Sequence, residues 1–391
     1  MAFRFWRARR ETAAREEKAS AAPAFATVHG LARPAWTPRD PTALTRAAYS
    51  GNAVAFRCVR MIAEAAAAIP LRATEGGAAL TEHPLLTLLG RPNGGQDATA
   101  FLEAVYGWLL LFGNAYVESL DGPDGAPAQL HALRPDRMRV IPGRDGWPAA
   151  YEYRVGAKVS RFEAGGPTPP ILHLRGFHPL DDHYGMSPLE PAAAAVDVHN
   201  AATRWTKSLL DNAARPSGAV VYRGADGAGR LTDEQHRRLA DELESRHQGA
   251  GNAGRPMLLE GGLDWKPMGY SPSEMEFLET RNAAARDIAL AFGVPPMLLG
   301  LPGDNTYANY AEASRAFYRQ TVAPLATRLG AALTGWLGDR WGGAARLAPD
   351  FDGTPALSAE RDALWRRVAA ADFLDEDEKR RLLGLPERTR A

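Results

Sequence analysis

The sequence predicts an α+β fold on three observations. From about 41 to 186, helical stretches at 52–68 and 98–112 alternate with short strand candidates. Two longer helices then begin with nearly the same local signal and bracket a small α+β insert at 215–270. After them the pattern is chiefly helical to the end of the 391 residues.

Taken in order, residues 1–40 are charged and Ala-rich, then run into "RPAWTPRDPT", whose prolines oppose regular structure; a disordered arm is expected there. The stretch "AVAFRCVRMIAEAAAAI" carries the single cysteine, Cys58, which is expected to act as a small buried hydrophobe. Strands are expected at "NAYVESL", "MRVIP", "YEYRV" and "ILHLRGF", punctuated by Gly and Pro turns. "SPLE" at Ser187–Glu190 and "SPSE" at Ser271–Glu274 each offer a serine N-cap, a proline at the first helical position and a glutamate at the third. The first helix is expected over 188–214, roughly 40 Å at 1.5 Å per residue, and the second over 272–292. Between them lie the strand "SGAVVYR", a helix capped by Thr232 with Gln235, then "RPMLLEGG" and "LDWKPMG". Beyond them come a long helix at 306–337, a short strand in "ARLAPDFD" and helices at 358–373 and 376–383, with Gly384 placed as the last C-cap.

Composition narrows the function classes. The chain has 46 basic and 46 acidic residues, so no global positive field drives tight non-specific nucleic-acid binding. Only five of the basic residues are lysine, a bias that accompanies high Ala and Gly content and reads as genome composition. One cysteine excludes an intrachain disulfide and a zinc site built on several thiolates. The start, "MAFRFWRARR", continues as "ETAAREEKAS" rather than an apolar stretch, which argues against a secretory signal. The runs "WLLLFG" and "AEAAAAIPL" fall far short of the ~20 residues a membrane helix needs. A soluble protein made in the cytoplasm, with no membrane partner, is expected.

The cluster with most resemblance to a reaction centre is "HLRGFHPLDDHYG", with His173, His178, Asp181, Asp182 and His183. Imidazoles and carboxylates this close suit a transition metal, and a metal-dependent hydrolase on His173, His178, Asp181 and His183 is the alternative reading. The spacing lacks the helical i, i+4 pairing of HExxH, so solvated or hydrogen-bonding roles without a metal are expected. "GMS" at 185–187 lacks the second glycine of a nucleophile elbow. No GxxxxGK[ST] is present, so ATP-driven motor activity must belong to a partner.

The stretches "AVAFRCVRMIAEAAAAIPLRA", "HPLLTLLGRPNGGQDATAFLEAVYGWLLLFGNAYVE", "LRPDRMRV", "YGMSPLE", "NAARPSGAV", "GRPMLLEGGLDWKPMGYSPSEMEFLETRNAAARDIALAFGVPPMLLG" and "DNTYANYAEASRAFYRQTVAPL" occur in one order over about 50–340. Together they resemble the portal proteins of long-tailed bacteriophages, a family with relatives in domesticated prophages and gene transfer agents. The resemblance implies a portal fold: a mixed α/β wing, two long stem helices, a small α+β clip insert and a helical crown. Mapped here, these are wing 41–186, stem helix 187–214, clip 215–270, stem helix 271–293, tunnel loop with wing return helix 294–352, and crown 353–391. It also implies a non-enzymatic ring, usually a dodecamer, at one capsid vertex of a virion, needing no cofactor. The implied partners are the major capsid protein, terminase, a head–tail adaptor and the double-stranded DNA that is packaged and ejected through the channel. Its tunnel loop falls on Gly303, Asp304, Asn305, Thr306, Tyr307, Asn309 and Tyr310, a polar stretch with one charge. Arg223, Arg230, Arg237 and Arg238 are the candidates for partner contact in the clip.

Overall fold

The structure, a computed structural model, describes residues 36–76, 78–211, 218–222, 232–247, 263–267, 277–302 and 307–384. The arm expected over 1–40 lies outside them as far as residue 35, as do the "SPSE" cap and the loop 303–306. The described residues open with α1 (Pro41–Thr45), where the Asp40 carboxylate accepts from the Ala43 N–H at 2.9 Å. The helix begins at the last proline of "RPAWTPRDPT", where a proline at the first helical position loses no hydrogen bond. A π-turn at Arg46–Ser50 then leads to α2 (Ala53–Ala67). Asn52 caps α2 by accepting from Val54 and Ala55 N–H groups, and Ala55, Cys58, Val59, Ile62 and Ala66 form its buried stripe. Cys58 is fully buried, and burial pushes its thiol up to about 12.

Next come β1 (Leu71–Glu75), β2 (Ala78–Leu80), α3 (Pro84–Gly90) and α4 (Ala98–Phe112). The strands β3 (Asn114–Asp121), β4 (Pro127–Leu133), β5 (Met138–Pro142), β6 (Pro148–Val155), β7 (Lys158–Glu163) and β8 (Ile171–Arg175) follow. They form two antiparallel sheets, ordered β4-β3-β8 and β5-β6-β7. Tyr116, Leu133, Met138, Val140, Tyr151 and Ile171 from these strands form a small core of their own. The four expected strands fall on β3, β5, β6 and β8. β1, β2, β4 and β7 are not foreseen; β7 has no buried side chain and so lacks the buried-exposed alternation that marks a half-buried strand.

The helix α5 (Leu189–Asp211) carries the expected cap: Ser187 Oγ accepts from the Leu189 N–H at 3.0 Å, and Glu190 accepts from the Ser187 N–H at 3.2 Å. In the insert, β9 (Gly218–Tyr222) pairs antiparallel with β10 (Leu263–Pro267), and α6 (Asp233–His247) lies between them in sequence. α7 (Phe277–Ala291) packs along α5. Buried Ala192, Ala193 and Val196 on α5, with Ala284, Ala285 and Ile288 on α7, keep the contact faces small; Trp205 stacks on Phe277 at 3.8 Å.

The expected long helix is present in three parts: α8 (Tyr307–Phe317), a π-turn (Tyr318–Val322) and α9 (Ala323–Leu337). Pro324 explains the interruption. It has no N–H for the Gln320 carbonyl and its ring crowds that oxygen, so the turn widens and the Ala323 N–H reaches Tyr318 O instead. β11 (Arg346–Pro349) then returns to pair with β1, giving a sheet ordered β11-β1-β2. α10 (Ser358–Ala369) and α11 (Glu376–Leu382) close the chain, with Gly384 at φ +68° after the last turn.

One junction sets the direction of α5. α4 ends at Gly113 (φ +68°), and the segment leading into α5 crosses there. A Cβ on Gly185 would lie 2.1 Å from Gly113 O, one on Gly113 2.3 Å from Gly185 O, and one on Gly176 2.7 Å from Met186 O. We predict that Gly185→Ala costs about 3 kcal/mol, because every atom it meets is backbone that cannot step aside. Gly335→Ala, on the open face of α9, is expected to stabilise by about 0.5–1 kcal/mol. Urea unfolding midpoints of the two variants against the parent check both signs.

Candidate functional site

The centre of the junction is Asn114, 6% exposed. Its Nδ2 donates to Phe112 O at 2.8 Å and Gly185 O at 3.2 Å, while its Oδ1 accepts from Gly185 N at 2.8 Å. Its Oδ1 also lies 2.9 Å from His173 Nε2. Because the amide nitrogen is committed to carbonyls, His173 must donate through Nε2. The ring of His173 stacks on Tyr116 at 4.2 Å and meets Tyr151 edge-on at 5.7 Å. Burial, reinforced by the Arg175 guanidinium, pulls its pKa from 6.5 down to about 3.

The rest of the His/Asp cluster has turned outward from His173. His178 Nδ1 accepts from the Leu180 N–H at 3.1 Å, and its Nε2 stands 4.0 Å from Glu190. Asp181 accepts from the N–H groups of His183 and Tyr184 at 2.8 and 2.9 Å. Burial works to raise the Asp181 pKa, but these two bonds and the neighbouring imidazoles bring it below the usual range. Asp182 offers its backbone carbonyl to Arg175, and Ser187 Oγ donates to Leu110 O at 2.7 Å. Among the described residues no three His, Cys, Asp or Glu side chains are grouped to hold a metal. The five residues are joined by sequence and separated by the strand end, which points His173 into the core and the others along the loop. The ligand set of the hydrolase reading is therefore not brought together.

At the second candidate region, α7 ends at Gly293 (φ +67°), whose carbonyl accepts from Thr321 Oγ1 at 2.6 Å. Buried Phe317 and Val322 anchor the π-turn, and Arg319 reaches Glu360 of α10 at 3.7 Å. Arg286 donates to Pro302 O, holding the chain just before the candidate loop. Gly303, Asp304, Asn305 and Thr306 lie outside the described residues; Tyr307 opens α8, and Asn309 and Tyr310 are exposed on its first turns. A cleft of about 510 Å³ runs between α7 and α8, lined by Arg286, Pro296, Met297, Leu301 and Asn309.

In the insert, Thr232 and Gln235 cap α6 reciprocally at 2.9 and 3.3 Å. Arg238 pairs with Glu234 at 2.6 Å and Arg237 bonds to Asp233 O at 3.2 Å, so both sit on a solvated, internally matched face. Arg223 and Arg230 lie outside the described residues.

Sequence reading did not single out Asn114. The available signal was a polar residue directly after a glycine at the end of the apolar run "WLLLFG", with a second glycine waiting in "YGMSPLE".

The junction is fixed by the hydrogen bonds of Asn114 and leaves Phe177 and Leu180 of the neighbouring loop exposed. Residues 53–384 match the phage portal protein family, and the chain belongs to it. Its function is accordingly that of a structural portal protein, on the HK97-family portal fold. A chain in the neck of a native gene transfer agent (GTA) particle computed with C12 symmetry is 59% identical. That match covers 91% of this chain and 96% of that one at a TM-score of 0.70. A chain in the neck of an empty GTA particle computed with C6 symmetry is 58% identical, covering 92% and 97% at a TM-score of 0.72. The probable portal protein of Streptomyces phage phiC31 is 29% identical over 328 residues, 77% of this chain and 69% of that protein. Among the described residues no helix is long and apolar enough to cross a membrane.

The half-buried His173 imidazole gives a pH dependence. Since the folded pKa of His173 lies below 6.5, the unfolded chain takes up the proton first. The stability it supports is complete above about pH 6.5 and is lost as pH falls toward 3. His173→Phe keeps the stacking on Tyr116 and removes the titration. Its urea midpoint is expected to be lower than the parent's at pH 7 but to fall less between pH 7 and pH 5.

Proposed function

We propose that this chain is the subunit of a homo-oligomeric ring, a dodecamer, at one vertex of a phage-like particle. DNA passes through its channel during filling and again on delivery. The observation that carries this reading is the 58–59% identity, over more than nine-tenths of the chain, with chains from GTA necks, one of them computed with C12 symmetry. In this reading 41–186 and the return segment 294–352 are the wing. α5 and α7 are the stem, 215–270 is the clip and 353–391 the crown. The clip, with Arg223, Arg230, Arg237 and Arg238, docks terminase during filling and a head–tail adaptor afterwards, while the wing meets the major capsid protein. Deleting 224–262 is expected to leave the wing folded by circular dichroism and to abolish tail attachment; normally tailed particles from the deletion overturn the docking role.

The tunnel-loop segment 303–310, whose last four residues are the first turn of α8 rather than loop, touches DNA without gripping it. Each cationic contact to phosphate strengthens sequence-independent binding, and a ring repeats it in every subunit. The loop is made otherwise: Asp304 is its one charge, Asn305, Thr306 and Asn309 are neutral, and Tyr307 and Tyr310 supply bulk. Electron microscopy of the purified chain is expected to show a ring with a central hole. Asn305→Arg with Thr306→Arg should keep that ring while reducing the DNA per particle, with the defect easing as salt screens the added charge. Unchanged DNA content in particles containing the double variant removes this loop from the channel.

A further inference from the structure

We propose that the loop 176–182 of each protomer plugs a cavity on the next protomer of the ring, making a second copy of this chain its partner; the inference rests on the ring reading above. Phe177 is 85% exposed and Leu180 91%. A single exposed apolar side chain is ordinary, but these two stand three residues apart on a loop whose backbone is fixed. His178 and Asp181 accept the N–H groups of Leu180, His183 and Tyr184. The Arg175 side chain holds Asp182 O, and Arg328 of α9 holds Arg175 O. A loop already ordered loses little freedom when its apolar tip is buried, which is the condition for a docking element.

The same chain carries a matching cavity. It measures about 430 Å³, with Val59, Ala63, Trp108, Leu111 and Phe112 among its lining residues. Thr45, also in the lining, has a buried hydroxyl with no hydrogen-bond partner. The charges agree as well. On the rim Arg60 is paired with Glu64, with Glu103 acting on it too, and Arg134 is paired with Asp136. Arg46 has no carboxylate partner among the described residues, and neither does the exposed Asp182 carboxylate have a cation.

Topology sets the two features on different strands of one sheet. The sheet is ordered β4-β3-β8, and Tyr116 near the start of β3 faces Leu133 on one side and His173 on the other. The loop leaves the end of β8, while Arg134 and Asp136 of the cavity follow the end of β4. Knob and cavity therefore lie at one end of the sheet but on its opposite edges. A surface that meets a different surface of an identical neighbour is a heterologous contact, which closes into a ring when the rotation between neighbours divides a full turn.

The test is a pair of cysteines, Leu180→Cys and Ala104→Cys, in the full chain, where the parent Cys58 is buried and silent. Oxidation of the double variant is expected to give a non-reducing ladder of multiples up to the closed ring, absent from either single variant. Rings seen by native mass spectrometry without the ladder overturn the interface and leave the ring standing. Cross-linked dimers from Leu180→Cys alone also overturn it, since they report a two-fold contact. Wild-type protein that forms no ring overturns the ring reading, and the interface with it. As a second arm, Asp182→Arg is expected to raise the concentration needed for assembly about tenfold, and Arg46→Asp in the same chain to restore it. Failure of that restoration counts against the pairing of knob and cavity.

Discussion

Two backbone segments cross at Gly113 and Gly185 with no room for a side chain on either, and Asn114 hydrogen-bonds to both. The crossing is expensive to make without its amide, because four backbone or imidazole groups would be buried with partners missing. With it, α4, the β4-β3-β8 sheet and the start of α5 become one rigid piece. Ser187 adds a bond from the cap of α5 to Leu110 of α4, so the helix leaves the sheet in a fixed direction. The orientation of α7 and the placement of loop 176–182 follow from that direction.

A second polar link ties α5 to the beginning of the described chain. Asn52, while capping α2, donates to Asn200 Oδ1 at 2.9 Å and lies 3.0 Å from His199 Nδ1; Asn200 in turn donates to Ala47 O at 3.0 Å. Burial, aided by Arg281, lowers the His199 pKa and keeps its ring in the neutral form that can accept from Asn52. Asp197 accepts from both the N–H and the hydroxyl of Thr37. Such networks contribute geometry more than net stability: a displaced helix would strand several buried polar groups at once. They suit a subunit whose copies must be alike.

The opposite treatment is seen in the long helix through α8 and α9. There Pro324 removes one hydrogen bond and opens a π-turn, so the helix is jointed near its middle. The joint is nevertheless held, by buried Phe317 and Val322, by Thr321 on Gly293 and by Arg319 on Glu360. Rigidity beside the crossing and a braced joint beside the candidate loop divide the molecule between fixed assembly surface and the segment proposed to meet DNA. The balanced charge of 46 against 46 is consistent with that division, since attraction is confined to local pairs.

By itself the sequence determined what short-range physics controls. Helix starts at Ser187 and Thr232 are set by side chains bonding to N–H groups two or three residues away, and the strands with alternating burial repeat every second residue. The buried fate of Cys58 followed from its place in a helical apolar stripe, and the family from ordered motifs. Tertiary structure alone decided which face each unusual residue took. β1 pairs with β11 across some 270 positions, Leu71 against Pro349, and neither strand announces the other. His173 and His178, five residues apart in one stretch, separate into a ring stacked on Tyr116 and bonded to Asn114 and a brace of the loop backbone. Asn114 acquired its role only when Gly185 arrived 71 positions later. Local patterns fix a residue's backbone state because the bonds involved close within a turn; the partner of a buried polar group is chosen by chain crossings that no local pattern encodes.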